Sequence, residues 1–182
     1  LMNRCKWCNL KNQKYIYYHD NIWGKLNNRD EYLYKMLILE SFQAGLSWEC
    51  ILNKIDNFEV AFDNFDIDKI INYDENKVNN LLLDKGIIRN KNKILASINN
   101  SKIFKSIVNE YGSFYKYLCT FTKDKIYYEN NLVTSPLSDA ISNDLQKRGM
   151  KFVGNVIIYS FLQAVGIIYS HEKECFLYKS NV

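Results

Sequence analysis

Apolar positions along this chain recur mostly at helical spacing. Leu33, Met36 and Leu37 fall at i, i+3 and i+4, and Glu40 and Ala44 continue the same stripe, so all five share one face of a helix. Asn28-Arg29-Asp30-Glu31 reads as a capping box opening that helix. Gly45 reads as its C′ residue, and Ser47 as the cap of the next helix. Similar spacing predicts helices over about 48–62, 66–72, 74–85, 90–108 and 112–119. Ser135-Pro136 supplies an N-cap with proline at N1, followed by Leu137, Ala140, Ile141 and Leu145 on one face. Val153, Val156, Ile157, Ser160, Phe161, Ala164 and Val165 mark a last long helix. Residues 120–134 read as a connection. Alternation of period two is brief, and Asn-Gly and Asp-Gly turns are absent. The pattern predicts an all-α protein of seven to nine mostly short helices.

Composition narrows the class. With 182 residues, 47% of them hydrophobic and 15% aromatic, the chain can bury a sizeable core. It suits one domain over residues 1–182, either compact or divided into two helical lobes. Seven Gly and one Pro exclude collagen-like and flexible low-complexity chains. No apolar run reaches the roughly 18 residues a membrane helix needs, and the first five residues lack the apolar core of a secretory signal. A monomeric cytoplasmic protein without membrane contact is the expectation. The net charge of +4 is compatible with a polyanionic partner without requiring one. In a cytosolic chain, five Cys argue for testing those near His as metal ligands before disulfides.

Three groups carry candidate chemistry. Glu40 stands among apolar neighbours, where an unpaired ionised carboxylate is costly, so it either pairs with a Lys or Arg at the edge of the stripe or serves a function. The turn after it brings Gln43, Leu46 and Trp48 close together, and Trp7 with the run Tyr15 to Gly24 adds rings beside His, Asp and Asn, as core or as pocket wall. Second, the two His each lie near a Cys. His171 and Cys175 share a face if their segment is helical, and Cys5 with His19 at the other end completes a tetrahedral Zn²⁺ set, with Cys8 able to replace Cys5. Such a set would pin both terminal segments; ordinary buried thiols are the alternative. Third, Lys147, Arg148, Gly149, Lys151 and Gly154 form a basic glycine-bearing hairpin between two helices, suited to a DNA phosphate or, more plainly, an αα-turn with solvated lysines.

Taken together these residues resemble the 3-methyladenine DNA glycosylase I family of the helix–hairpin–helix DNA glycosylase superfamily. The resemblance rests on Arg4-Cys5, on Tyr18-His19-Asp20-Asn21-Ile22-Trp23-Gly24, and on Leu39-Glu40-Ser41-Phe42-Gln43-Ala44-Gly45-Leu46-Ser47-Trp48. It continues through Gly86 to Ile94, Ser138-Asp139-Ala140, Lys147 to Gly154, and His171 with Cys175; only 120–134 matches poorly. It implies the helix–hairpin–helix glycosylase fold, with the N- and C-terminal segments joined by one structural zinc ion on Cys5, His19, His171 and Cys175, which decides against Cys8. It implies a base pocket of Glu40, Tyr18, Trp7, Trp23 and Trp48, with Glu40 and Tyr18 as the catalytic pair. Gln43, Gly45 and Leu46 would enter the gap left by an extruded nucleotide, while Lys147, Arg148, Gly149, Lys151 and Gly154 grip the backbone. The partner is then alkylated double-stranded DNA and the product free 3-methyladenine.

The chemistry suits these side chains. N3-methylation makes adenine a cation whose glycosidic bond is already labile, so selection and positioning matter more than a strong acid. A flipped cationic purine gains from stacking and from hydrogen bonds to a carboxylate. The family lacks the catalytic Asp common in its superfamily, and Ile168-Tyr169-Ser170 occupies that region here. No Lys stands on an evident pocket stripe, which predicts a monofunctional enzyme without a lyase step. The competing expectation is a non-catalytic zinc-stapled helix–hairpin–helix DNA-binding module. A zinc hydrolase would need an open coordination position, which four protein ligands deny.

Overall fold

The computed structural model describes residues 2–181. Ten α-helices occupy most of it: α1 (Gln13–Asn21), α2 (Asp30–Gln43), α3 (Trp48–Leu52), α4 (Ile55–Ala61), α5 (Ile67–Ile70), α6 (Glu75–Leu83), α7 (Lys91–Tyr111), α8 (Phe114–Thr122), α9 (Pro136–Lys147) and α10 (Asn155–Ala164). Two short strands, β1 (Tyr127–Tyr128) and β2 (Ile168–Tyr169), pair in parallel. The all-α architecture expected from the spacing is the one observed, with one more helix than the upper expectation. Among the described residues, no helix is long and apolar enough to cross a membrane.

α2 lies at the centre, packed against α3, α7, α8 and α10. Every residue from Met36 to Phe42 is buried, so the helix is enclosed on all sides rather than along a stripe. Its expected capping box is absent: Arg29 occupies the N-cap position without a side-chain hydrogen bond. The Asp30 carboxylate turns away and accepts from the backbone N–H groups of Phe114 (3.0 Å) and Tyr115 (3.3 Å), so the first acid of α2 caps α8. The predicted 48–62 helix is broken at Asn53-Lys54 into α3 and α4.

α10 packs on α2 and α9 and ends against the segment leading into α2. There Gly166 has φ +84°, and a Cβ on it would lie 2.2 Å from the backbone of Lys25 and Leu26. Asn27 N–H donates to Val165 O (3.0 Å) and Gly24 N–H to Gln163 O (3.2 Å). This close approach fixes the Trp23–Asn27 turn, and with it the end of α1, on the C-terminus of α10.

Replacing Asp30 with Ala leaves two N–H groups of α8 without that acceptor. It should lower stability by about 1 kcal/mol, read as a shift in the urea midpoint with an unchanged slope. An unchanged midpoint would remove Asp30 from the capping of α8.

Candidate active site

A cavity of about 260 Å³ opens where α1, α2, α3 and α10 converge. That is below the roughly 300–1,000 Å³ of sites for drug-sized ligands and suits a single nucleobase. α1 contributes Tyr15 and Tyr18, α2 Glu40 and Gln43, α3 Trp48, and α10 Ser160 and Gln163; Trp7, Trp23 and Ser170 complete much of the wall. The Tyr18 and Trp48 rings lie 5.5 Å apart, and Trp7 meets Trp23 edge-on at 4.8 Å.

Four buried polar atoms of this wall have no hydrogen-bond partner among the described residues: Glu40 Oε2, Gln43 Oε1, Trp48 Nε1 and Ser170 Oγ. Buried polar groups are almost always satisfied, so four orphans around one cavity describe a surface shaped for a polar ligand. Glu40 is 2% exposed and no Lys or Arg pairs with it. Burial raises its carboxyl well above the usual carboxylate range, and burial does the same to the Tyr18 phenol. A larger cavity of about 720 Å³ lies between the start of α2 and α5. Its buried polar groups are paired, Tyr34 with Ser101 at 2.5 Å, and it carries no orphan.

The end of α2 is held by a cation. Lys93 of α7, 8% exposed, donates from Nζ to Phe42 O (2.9 Å) and Ala44 O (2.5 Å). Burial lowers its pKa, and it faces the negative end of the helix dipole. Beyond it Gly45 (φ +77°) lets the chain turn, and Leu46 projects into solvent, 41% exposed.

Behind the aromatic wall, Cys5, His19, His171 and Cys175 are all buried, with one ligand atom of each within 4.8 Å of the others. Three sulfur–nitrogen separations (Cys5 to His171, Cys175 to His19 and Cys175 to His171) are each 3.5 Å. Tetrahedral coordination at Zn–S 2.3 Å and Zn–N 2.0–2.1 Å places S and N about 3.5 Å apart, so the set fits such an ion. The other ring nitrogens are also held: His19 Nδ1 meets Asp20 at 2.7 Å and His171 Nε2 meets Trp23 O at 3.2 Å. Arg4 binds Asp20 at 2.7 Å in turn. This outer layer is the kind that orients metal-binding imidazoles. Burial pushes His171 down to about 4, keeping it the neutral imidazole a metal requires, and pushes the Cys5 thiol up to about 12, which only a nearby cation would offset. Trp7 lies against His19 (5.2 Å) and Trp23 against His171 (4.8 Å), so the cluster and the cavity share a wall.

The hairpin between α9 and α10 is tied from behind. Asn99 donates to Gly149 O (2.9 Å), buried Asn100 donates to Lys151 O (2.8 Å) and accepts from Lys151 N–H (2.9 Å), and Ser142 donates to Val153 O (2.7 Å). Gly154 caps α10 without a side-chain bond, leaving the helix's first N–H groups at an exposed end, as an anion site needs.

A profile described as methyladenine glycosylase matches residues 7–178 of this chain. The chain belongs to the methyladenine glycosylase family. It is 37% identical to DNA-3-methyladenine glycosylase 1 of Escherichia coli (strain K12), over 99% of both chains. A crystal structure of a 3-methyladenine DNA glycosylase I superposes with a TM-score of 0.93 at 36% identity, covering 97% of this chain and all of that one. A tyrosine-to-phenylalanine variant of such an enzyme, solved in complex with 3-methyladenine, gives 0.90 at 31% identity, covering 96% and 97%. Methyladenine glycosylases are hydrolases of N-glycosyl bonds, so the chain is an enzyme of that class.

Within this methyladenine glycosylase the expected site residues mostly meet. Trp7, Tyr18, Trp23, Glu40 and Trp48 line one cavity, and the metal set is built from Cys5, not Cys8. Three expectations change. His171 and Cys175 do not lie on a helix; a turn closed by Cys175 N–H to Glu172 O (2.9 Å) brings them together. Gln43 points its amide oxygen into the cavity, leaving Gly45 and Leu46 as the exposed turn. Arg148 is not free: it pairs with Asp144 (2.8 Å) and Glu110 (2.8 Å) and lies over the rings of Tyr111 and Tyr117, bracing the end of α9. Lys147, Lys151 and Gly154 remain exposed at the hairpin. Ser170, in the Ile168-Tyr169-Ser170 segment that stands in the region where the superfamily has its acid, supplies one of the four orphans; nothing in its spacing marks it.

Glu40 also sets a stability test. Its folded pKa lies above the unfolded one, so the folded state binds the proton more tightly. Wild-type stability therefore falls as pH rises from the ordinary carboxylate range towards the raised value. Glu40→Gln should gain over wild type as pH rises from 4 to 8, by roughly 2–4 °C in Tm per kcal/mol recovered. An advantage that does not grow with pH would mean that Glu40 is paired in solution.

Proposed function

We propose that this chain excises cationic N3-alkylated purines, 3-methyladenine foremost, from alkylated duplex DNA by a monofunctional hydrolytic route. The observation that carries the reading is the Glu40 carboxyl, buried without a cationic partner at the edge of a nucleobase-sized cavity walled by Tyr18 and Trp48. A base can enter so enclosed a space only after leaving the helix stack, which makes nucleotide extrusion part of the reading. Leu46 and Gly45 would then occupy the vacated gap, and the exposed N–H groups at Gly154, with Lys147 and Lys151, would hold the backbone.

In the cavity the positively charged base supplies the partner Glu40 lacks. Its rings stack on the aromatic wall, and the carboxylate accepts from the base while stabilising its charge. The C1′–N9 pair departs with the base, which leaves neutral; water bonds to C1′, and its proton passes to solvent. Tyr18, kept protonated by burial, is a donor at the cavity wall. Lys93 holds its ammonium on the carbonyls of Phe42 and Ala44 and does not line the cavity, which supports a route without a Schiff base.

We assign the four-residue cluster to a structural Zn²⁺. Cys5, His19, His171 and Cys175 would close its coordination, and the ion's charge would hold both thiols as thiolates. On this reading one chain carries the whole cavity and acts as a monomer in the cytoplasm.

The decisive experiment is base release from methylated duplex DNA with identification of the product. Wild type should release 3-methyladenine, and Glu40→Gln should lose on the order of 10²-fold or more in rate. Release undiminished in that variant would remove Glu40 from the chemistry. Borohydride should trap no protein on abasic DNA; a covalent adduct would overturn the monofunctional route. Metal analysis should find one zinc per chain, and chelation should lower Tm before activity falls at a temperature where the chain stays folded. Immediate loss of activity without loss of stability would assign the ion a catalytic part.

A further inference from the structure

The stretch 120–134, which the sequence marks only as a connection, is bound tightly to the site. β1 pairs with β2, and Glu129 N–H donates to Tyr169 O (3.1 Å). The Asn130 amide donates to both Ser170 O (3.3 Å) and His171 O (2.8 Å). The chain is thus anchored to the segment that carries Ser170 and a metal-set histidine. At the next residue it turns: Asn131 takes φ +59°, and Leu132 stands 47% exposed. Both line the cavity. A few residues on, Ser135 begins α9 with a full capping box, so the tip is held at both ends.

The same device flanks the cavity from the side of α2. Gly45, at φ +77°, precedes exposed Leu46. Leu132 in the lining of the cavity, and Leu46 on the turn between its lining residues Gln43 and Trp48, are thus each displayed by a left-handed residue. A single exposed leucine is ordinary, but two presented in this way at one mouth call for a partner that covers them. Residues 130–134, Asn-Asn-Leu-Val-Thr, carry no charge that would repel or seek phosphate.

We propose that Leu132 is a second wedge, packing against the base pair beside the extruded nucleotide while Leu46 fills the gap itself. This rests on the function proposed above, since it takes duplex DNA as the occupant. Apolar side chains inserted at base steps unstack them and kink the duplex, which helps hold the opened state. Leu132 acts in opening the duplex; reading of the base and the bond cleavage belong to other residues.

The test uses the full chain and a duplex with a tetrahydrofuran abasic analogue beside 2-aminopurine, whose fluorescence rises on unstacking. Wild type should brighten the probe and Leu132→Ala should not, with Leu132→Met restoring the signal. Excision from methylated duplex should slow about tenfold in Leu132→Ala, equivalent to about 1.4 kcal/mol, and by a larger factor than excision from methylated single strands. Equal brightening by wild type and Leu132→Ala, no brightening by wild type, or equal slowing on both substrates would overturn the wedge. Brightening that depends on Leu132, with no base released by wild type, would sink the proposed function and leave the wedge standing.

Discussion

A carboxyl group buried without a counter-charge is the constraint around which this structure is arranged. Glu40 sits on the most enclosed helix of the fold, and no cation reaches it. Nearby Lys93 could in principle have neutralised it. Its ammonium instead binds the last carbonyls of α2, where it also offsets the helix dipole. The carbonyls that hold Lys93 lie within about one helical turn of Glu40, and the acid and the cation do not pair. The fold carries an uncompensated desolvation penalty at Glu40 and keeps it local by supporting the helix end on another residue.

The aromatic wall opposite is stiffened from behind. Trp7 and Trp23 lie against His19 and His171, whose outer nitrogens are held by Asp20 and the Trp23 carbonyl. Among the described residues, no helix precedes α1 and none follows β2, so neither segment would be ordered by local structure alone. What fixes them is the four-residue cluster, aided by Phe176 N–H donating to Asn3 O (2.8 Å) and Lys6 N–H to Glu172 (2.8 Å). A cavity wall made from two chain ends therefore depends on contacts spanning more than 160 residues of sequence, and the cluster that draws them together also backs the rings that face the cavity.

How much of this was legible in sequence follows from the range of each interaction. Periodicity locates α2, α7, α9 and α10 but not always their buried faces: α2 is enclosed on all sides, and Ala140 of α9 and Val156 of α10, both on the expected apolar faces, are exposed; Gly45 and Ser47 mark the turn between α2 and α3. α1 has no such signature: the rings of Tyr15 to Trp23 obscure the helical period, and its cap, Asn12, accepting from Lys14 and Tyr15, lies outside that aromatic run. The identities of Cys5, His19, His171 and Cys175 were readable from type and rarity, but the turn that joins the last two was not, since spacing of i, i+4 cannot separate a helix from a reverse turn. Arg148 looked available because sequence shows its charge and hides its partners; Asp144 sits one helical turn away, and Glu110 comes from a distant helix. Asp30 shows the same limit, having the right residue type for a helix start and spending it on α8.

On the proposed function, selectivity follows from electrostatics more than from shape. In the empty cavity burial favours the neutral form of Glu40. An uncharged purine of the same outline offers no charge to draw the proton off, and it meets a neutral carboxyl in a cavity lined with orphaned dipoles. A methylated, positively charged purine favours the ionised form, and the attraction grows in surroundings where water does not screen it. The desolvation penalty that folding accepts at Glu40 is thereby turned into a difference between two bases alike in size. A cavity with its acid already paired to lysine would be more stable and would lose that difference, which is a physical reason for Lys93 to bind carbonyls one turn away instead.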